Sequence, residues 1–252
     1  MMIDFNRLKK EKTALREKFL TAKPFPHIVI DDFLLEGYAE KLYYSSPQPQ
    51  KEHKVNDFIF TKNKFQLPNI STLSNDFEDF YHEITSDEFK SLMSYITGED
   101  IFIDKSLYGG GLHLGDKGSY LDMHADFNYH PKETNWYRNI NLLLYLNKDW
   151  KKEYGGSLKL HDSRNGDKLE IEPILNRLVI MHCRDYTLHG YDAISFPPNT
   201  YRTSVALYGY TYHDNPIYKQ RSTLWAKNDN VIKNIISNIW EPAVKIKKSL
   251  FS

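Results

Sequence analysis

The sequence changes its pattern near residue 101, and this change limits the folds that the chain can adopt. Before it, apolar residues recur at helical spacing. After it, short apolar runs alternate with turn residues as far as about residue 213. The runs at 138–147, 178–181 and 201–210 have the length and composition of buried strands. Helices followed by a series of strands predict an α+β fold, in which a double-stranded β-helix (jelly-roll) core packs against N-terminal helices.

With 252 residues, the chain has the length of a single domain around one core. The pattern divides this domain, residues 1–252, into a helical support region, a β-helix core and a C-terminal helical extension, at 1–100, 101–213 and 214–252. We predict helices over about the first twenty residues, at 36–44, twice within 76–97 and at 222–251, and a long loop at 47–75 with a short strand at 58–60. Thr85 and Glu88 have the spacing of a capping box for the second helix within 76–97.

The amino-acid composition argues against nucleic acid and membranes as partners. Lysine plus arginine and aspartate plus glutamate both number 33, so the formal net charge of zero gives no long-range attraction to nucleic acid or to an anionic membrane. The single cysteine, Cys183, excludes an internal disulfide and fits a reducing compartment. We find no apolar core of a signal peptide and no apolar stretch of membrane-spanning length. We therefore expect a cytoplasmic protein without nucleic-acid or membrane partners, and leave its oligomeric state open.

A His-x-Asp triplet stands within the predicted strand region. On an extended strand alternate side chains share a face, so His124 and Asp126 point the same way. A second imidazole, from His189, would complete the two-histidine, one-carboxylate set that holds iron(II) and leaves open positions. Downstream, Arg202 could bind an acidic co-substrate, because a guanidinium pairs with a carboxylate through two parallel hydrogen bonds.

Each of these residues also has a simpler interpretation. A histidine can cap a backbone group, and Arg202 can be a surface strand residue in an ion pair. His182 directly continues an apolar run and competes with His189 for the place of third ligand. We interpret His130, which is followed by a proline, as a loop residue near the mouth of the site.

Three sequence segments carry a resemblance to a known family. They are the triplet at 124–126, the segment YLNKDW…GGSLKL at 145–160, and the segment LHG…YRTSVALY at 188–208. With these three segments in this order, the chain resembles the 2-oxoglutarate and iron(II)-dependent dioxygenases, in the prolyl-hydroxylase-like branch. The resemblance implies iron(II), 2-oxoglutarate and O2 as cofactors, with ascorbate as a further option. It also implies that His124, Asp126 and His189 form the catalytic metal site.

The resemblance further assigns the residues that would bind the co-substrate. Arg202 would pair with the far carboxylate of 2-oxoglutarate. Tyr145 occupies the place where related hydroxylases use a tyrosine to bind the same carboxylate, although it could equally be a core tyrosine. Ser204 shares a strand face with Arg202 and could reach the carboxylate as well.

The resemblance implies hydroxylation of an unactivated C–H bond, and the carboxylate of Asp126 favours this reaction because related halogenases have a small residue there. The substrate would be a prolyl residue in a protein or peptide, or a free amino acid. A sugar or another small biosynthetic intermediate is the alternative, and a non-catalytic β-fold metal-binding module is a second one. We expect the substrate-facing rim at 55–71 and 126–136, with aromatic residues Phe58, Phe60, Phe127, Tyr129 and Trp136.

Overall fold

The computed structural model describes residues 1–227 and 230–250. Five α-helices lie in this part of the chain: α1 Phe5–Thr21, α2 Tyr38–Ser45, α3 Asn75–Ile84, α4 Asp87–Thr97 and α5 Val231–Leu250. Its strands are β1 His27–Ile30, β2 Thr61–Leu67, β3 Phe102–Ile103, β4 Gly111–Ala125, β5 Trp136–Tyr145, β6 Leu158–Asp162, β7 Lys168–Ile171, β8 Arg177–His182, β9 Thr187–Tyr191, β10 Arg202–Tyr212 and β11 Leu224–Trp225. None of these helices is both long and apolar enough to cross a bilayer.

The strands form one curled antiparallel sheet with two halves. In one half the order is β1, β8, β5, β10 and the beginning of β4; in the other it is the end of β4, then β9, β6 and β7. β4 belongs to both halves because it is 15 residues long and carries a bulge, where Gly115 and Tyr120 oppose nearly adjacent residues of β2. This arrangement is the predicted double-stranded β-helix.

The two faces of the first half-sheet have different roles. Leu142 and Leu144 of β5 join the main hydrophobic core, which is shared with buried residues of α1, α3 and α4. Because strand residues alternate, Leu143 and Tyr145 face the opposite way, and they pack in a smaller cluster with residues of β6 and β8. The helices therefore cover the outer face, and the inner face remains available for a site.

The structure confirms the helices but corrects three local predictions. α4 is capped by Ser86 and not by the predicted Thr85 box, because the Ser86 hydroxyl accepts the hydrogen bond from the backbone N–H of Phe89. The predicted loop at 47–75 contains strand β2, whereas 58–60 is not a strand. In the predicted C-terminal helix, the described part has strand β11 first and becomes helical only at Val231.

Candidate active site

The three predicted metal ligands lie together. His124 near the end of β4 is the cross-strand neighbour of His189 on β9, and their ring centroids are 4.3 Å apart. Asp126 follows directly after β4, with one carboxylate oxygen 3.5 Å from His124 Nε2 and the other 3.4 Å from His189 Nε2. Candidate ligand atoms of all three residues lie within 4.8 Å of one another. Two imidazoles and one carboxylate at this spacing fit iron(II).

The close approach of β4 and β9 depends on a glycine. A Cβ atom at Gly190 would lie 2.5 Å from the carbonyl oxygen of Leu121 and 3.0 Å from backbone atoms of Asp122. Only glycine leaves room for this backbone contact. The residue after His189 therefore helps to set the distance between the two imidazoles.

Hydrogen bonding fixes the orientation of His124. Its Nδ1 lies 2.9 Å from the carbonyl oxygen of Asp122, and because a carbonyl only accepts, Nδ1 carries the proton. The lone pair of Nε2 then points toward Asp126 and is free for a metal. Burial lowers the pKa of His189 to about 3, so this imidazole is neutral as a ligand must be.

Asp126 is held by a pair of residues that sequence reasoning missed. Its Oδ2 accepts hydrogen bonds from Arg138 Nη2 at 2.8 Å and from Asn141 Nδ2 at 2.7 Å. Arg138 Nε also donates to Asn141 Oδ1 at 2.9 Å, which closes the network. Burial alone would raise the pKa of Asp126, but the Arg138 guanidinium holds it well below its usual range. The carboxylate is therefore ionised and oriented before a metal arrives.

Arg138 itself is 1% exposed and lies on the inner face of β5. Its guanidinium stacks 3.4 Å from the ring centroid of Tyr208. Its Nη1 is buried without a hydrogen-bond partner in the described residues. The only sequence signal for this network was that polar residues, Arg138 and Asn141 among them, interrupt the first half of a largely apolar strand.

The predicted co-substrate residues lie on β5 and β10. Arg202 is 7% exposed, donates from Nε to the carbonyl oxygen of Gly156 at 2.7 Å, and donates from Nη2 to the Tyr145 hydroxyl at 3.3 Å. Ser204 is the cross-strand neighbour of Tyr145. The guanidinium also stacks on the ring of Tyr191 at 4.1 Å. Packing on two sides directs the arginine inward, as binding of a carboxylate requires.

One cavity of about 140 Å³ unites these groups. It is lined by the three metal ligands, by Arg202, Tyr145 and Ser204, and also by Lys64, His113, Arg138, Asn141 and Tyr208. All six predicted site residues therefore face one space. A larger groove of about 770 Å³ shares Leu121 and Tyr191 with it.

Other candidates lie away from this cavity. His182, the competing third ligand, packs edge-on against Phe19 of α1 on the helical side of the sheet. The prediction that His130 lies at the site mouth is wrong, because this residue is buried 3.5 Å from Asp104 among aromatic rings. The predicted rim at 55–71 and 126–136 contributes only Lys64 and Asp126 to the lining of this cavity. None of its five predicted aromatic residues lines the cavity; Phe60, for example, stacks on Trp225 with ring centroids 4.5 Å apart.

The chain was compared with known proteins. The sequence profile of the 2OG-Fe(II) oxygenase superfamily matches residues 109–210. No curated protein sequence matches the chain significantly.

Solved structures share the fold at low sequence identity. The prolyl hydroxylase from Trichoplax adhaerens, in complex with a hypoxia inducible factor oxygen degradation domain peptide fragment, is 16% identical with a TM-score of 0.56, covering 81% of this chain and 91% of that one. The Pseudomonas putida prolyl-4-hydroxylase is 15% identical with a TM-score of 0.52, covering 79% and 98%. The α-ketoglutarate-dependent epimerase SnoN from nogalamycin biosynthesis is 11% identical with a TM-score of 0.53, covering 89% and 88%.

A double-stranded β-helix with two histidines and one aspartate around an inner cavity defines a non-haem iron oxygenase. Together with the matching profile, it places the chain in the 2OG-Fe(II) oxygenase superfamily. The protein is a 2-oxoglutarate- and iron(II)-dependent dioxygenase, which uses iron(II), 2-oxoglutarate and O2. The sequence-based prediction of the family, the fold and these cofactors is thereby confirmed.

Proposed function

We propose that the protein hydroxylates an unactivated C–H bond of an amino-acid-type substrate, either free or within a peptide, in the manner of the prolyl hydroxylases. The observation that carries this proposal is the buried set of His124, Asp126 and His189 in the same cavity as the inward-facing Arg202. A metal-binding module without catalysis would have no use for a buried guanidinium in that place. The similarity in fold to prolyl hydroxylases supports the substrate class.

In this proposal each residue has a defined task. His124, Asp126 and His189 hold iron(II), which supplies the activation of O2 when 2-oxoglutarate is bound. Arg202 pairs with the carboxylate of 2-oxoglutarate that is remote from the metal, and Tyr145 and Ser204 stand beside it on the neighbouring strand positions.

Arg138 and Asn141 keep the Asp126 carboxylate ionised and fixed in direction. The carboxylate therefore needs little reorganisation when the metal binds. The free Nη1 of Arg138 remains as a buried donor beside the metal ligands. A carbonyl oxygen of the substrate is a suitable acceptor for it, because a buried donor without a partner is costly. Arg138 would then also orient the substrate.

The test uses the purified protein without oxygen. Iron(II) and 2-oxoglutarate together should produce the weak visible charge-transfer band of the chelate, and the band should be lost in His189→Ala. Candidate substrates that react should then stimulate succinate release in air. A folded native protein that gives no band under these conditions would contradict the proposal.

A further inference from the structure

Two polar residues of the cavity have no task in the proposed chemistry. Lys64 lies on β2 and His113 on β4, and both line the same space as the metal ligands. Neither was a candidate from the sequence; for Lys64 the reason is that β2 has the composition of a loop. Because both residues lie beside the metal site, they could bind a ligand in the same cavity.

Lys64 is an uncompensated cation. Within the described part of the chain its ammonium makes no ion pair and donates no hydrogen bond, although the residue is half-buried. It lines the same cavity as His124, Asp126 and His189, so its charge faces the space beside the metal ligands. A partly buried charge without a counterion is unfavourable, and an anionic ligand would relieve this.

His113 offers an unused ring nitrogen. Burial, and then the charge of Lys64, lower its pKa to about 3, so the ring is neutral at pH 7. Within the described residues its Nε2 is buried without a hydrogen-bond partner. A nitrogen of a neutral imidazole donates or accepts according to the tautomer, so a polar group of a ligand would satisfy it.

The 2-oxoglutarate carboxylates do not need Lys64. One of them belongs to the metal, and Arg202 can pair with both oxygens of the other. Across the sheet, Lys64 is opposite Gly115, which is in turn opposite Arg202. Strands are about 4.8 Å apart, so the Lys64 and Arg202 backbones are roughly 10 Å apart. β4 separates Lys64 from β10 and from Tyr145 on β5.

The charges of the cavity point to a second anion. Three cations, Lys64, Arg138 and Arg202, line it against the single carboxylate of Asp126. Iron(II) and the 2-oxoglutarate dianion cancel each other, so the excess of positive charge persists after both have bound. A peptide backbone is neutral and would leave this excess unbalanced.

We propose that the primary substrate is a small carboxylic acid, that Lys64 pairs with its carboxylate, and that His113 Nε2 forms a hydrogen bond with a polar group of the same molecule. This inference rests on the proposed function and decides between its two forms, in favour of a free acid over an internal residue of a peptide. A lone ammonium is a point charge and suits a carboxylate better than a group that needs several fixed donors.

The experiment measures binding without turnover. The protein is loaded with Mn(II) and 2-oxoglutarate, and the proton relaxation of a panel of free amino acids and other small carboxylic acids is compared with that of their primary amides. The paramagnetic ion reports any molecule that binds near the metal. At least one free acid should bind about tenfold or more tightly than its amide, the range expected for a hydrogen-bonded charge.

Variants then test the role of Lys64. Lys64→Met should abolish the preference for the acid, Lys64→Arg should retain it, and Lys62→Met, which changes an exposed lysine of the same strand, should have no effect. His113→Phe should weaken acid binding without removing the preference over the amide. Thermal unfolding of each variant checks that the fold is intact.

Two results would overturn the inference. One is a panel in which no acid binds more tightly than its amide. The other is a loss of 2-oxoglutarate affinity in Lys64→Met as large as the loss of acid affinity, which would assign the lysine to the co-substrate. If the native protein forms the visible iron(II)–2-oxoglutarate band, these results contradict this inference alone; absence of the band contradicts the proposed function.

Discussion

Replacing Arg138 with methionine removes the cation that faces Asp126 while keeping much of the side-chain volume. The arginine is 1% exposed and bonded to the carboxylate at 2.8 Å, so Asp126 would become a largely buried charge held by Asn141 alone. Removing one partner of a buried ion pair destabilises a protein by about 3–5 kcal/mol. For a domain of this size each kcal/mol lowers the melting temperature by about 2–4 °C, so we expect a decrease on the order of 10 °C.

Urea unfolding of the metal-free protein, with EDTA present, measures this effect. Two controls separate the ion pair from general packing. In an Asp126→Asn background the same Arg138→Met change should cost about 2 kcal/mol less, because no charge is left unpaired. A divalent ion should stabilise Arg138→Met more than the native protein, because the ion supplies the missing positive charge. A loss below about 1 kcal/mol, or the same loss in both backgrounds, would refute the argument.

Three further outcomes are expected. Arg202→Ala should weaken 2-oxoglutarate binding by about 10- to 150-fold, whereas Tyr145→Phe, which removes only the neighbouring hydroxyl, should weaken it by less than about tenfold. Anaerobic titration of the visible band measures both affinities, and a larger loss in Tyr145→Phe than in Arg202→Ala would contradict the assigned roles. Gly190→Ala should lower the affinity for the metal, measured by Mn(II) binding, because the new Cβ meets the backbone of β4 at 2.5 Å; unchanged affinity would show that the strands can adjust. Burial lowers the pKa of His113 and His182 from 6.5 to about 3, so the unfolded chain binds more protons between these values. The stability of the metal-free protein should therefore be complete above pH 6.5 and should decrease toward pH 3, by up to about 1.4 kcal/mol per pH unit for each histidine; equal unfolding free energies at pH 7 and pH 5 would exclude this.

The metal site could be predicted from sequence because its chemistry restricts both residue type and spacing. Strand alternation brings the ends of a His-x-Asp triplet onto one face, and few residue types besides histidine can complete the set. The family resemblance pointed to Arg202 and Tyr145, and strand alternation placed Ser204 on the face of Arg202; all three line the cavity.

Other parts of the site depend on contacts that local pattern does not contain. β2 has the sequence TKNKFQL, in which the first four residues are all polar and alternation of polar and apolar residues is confined to the last four. It is a strand only through its pairing with β4, and so Lys64 was missed. The role of Arg138 could not be predicted for a similar reason, because its partner Asp126 lies outside β5. At α4, Thr85 and Ser86 are adjacent hydroxyl residues, and only the backbone geometry shows which one caps the helix.

The short strand β11 has a practical consequence for trimming the protein. The matched segment 109–210 includes the three predicted metal ligands, yet β11 pairs with β4 beside His124 and places Trp225 5.1 Å from the His124 ring. A fragment that stops at residue 213 would lack β11 and would expose the edge of β4 beside His124. Exposed strand edges pair with the strands of other chains. We expect such a fragment to self-associate, so a usable C-terminal truncation must end beyond residue 226.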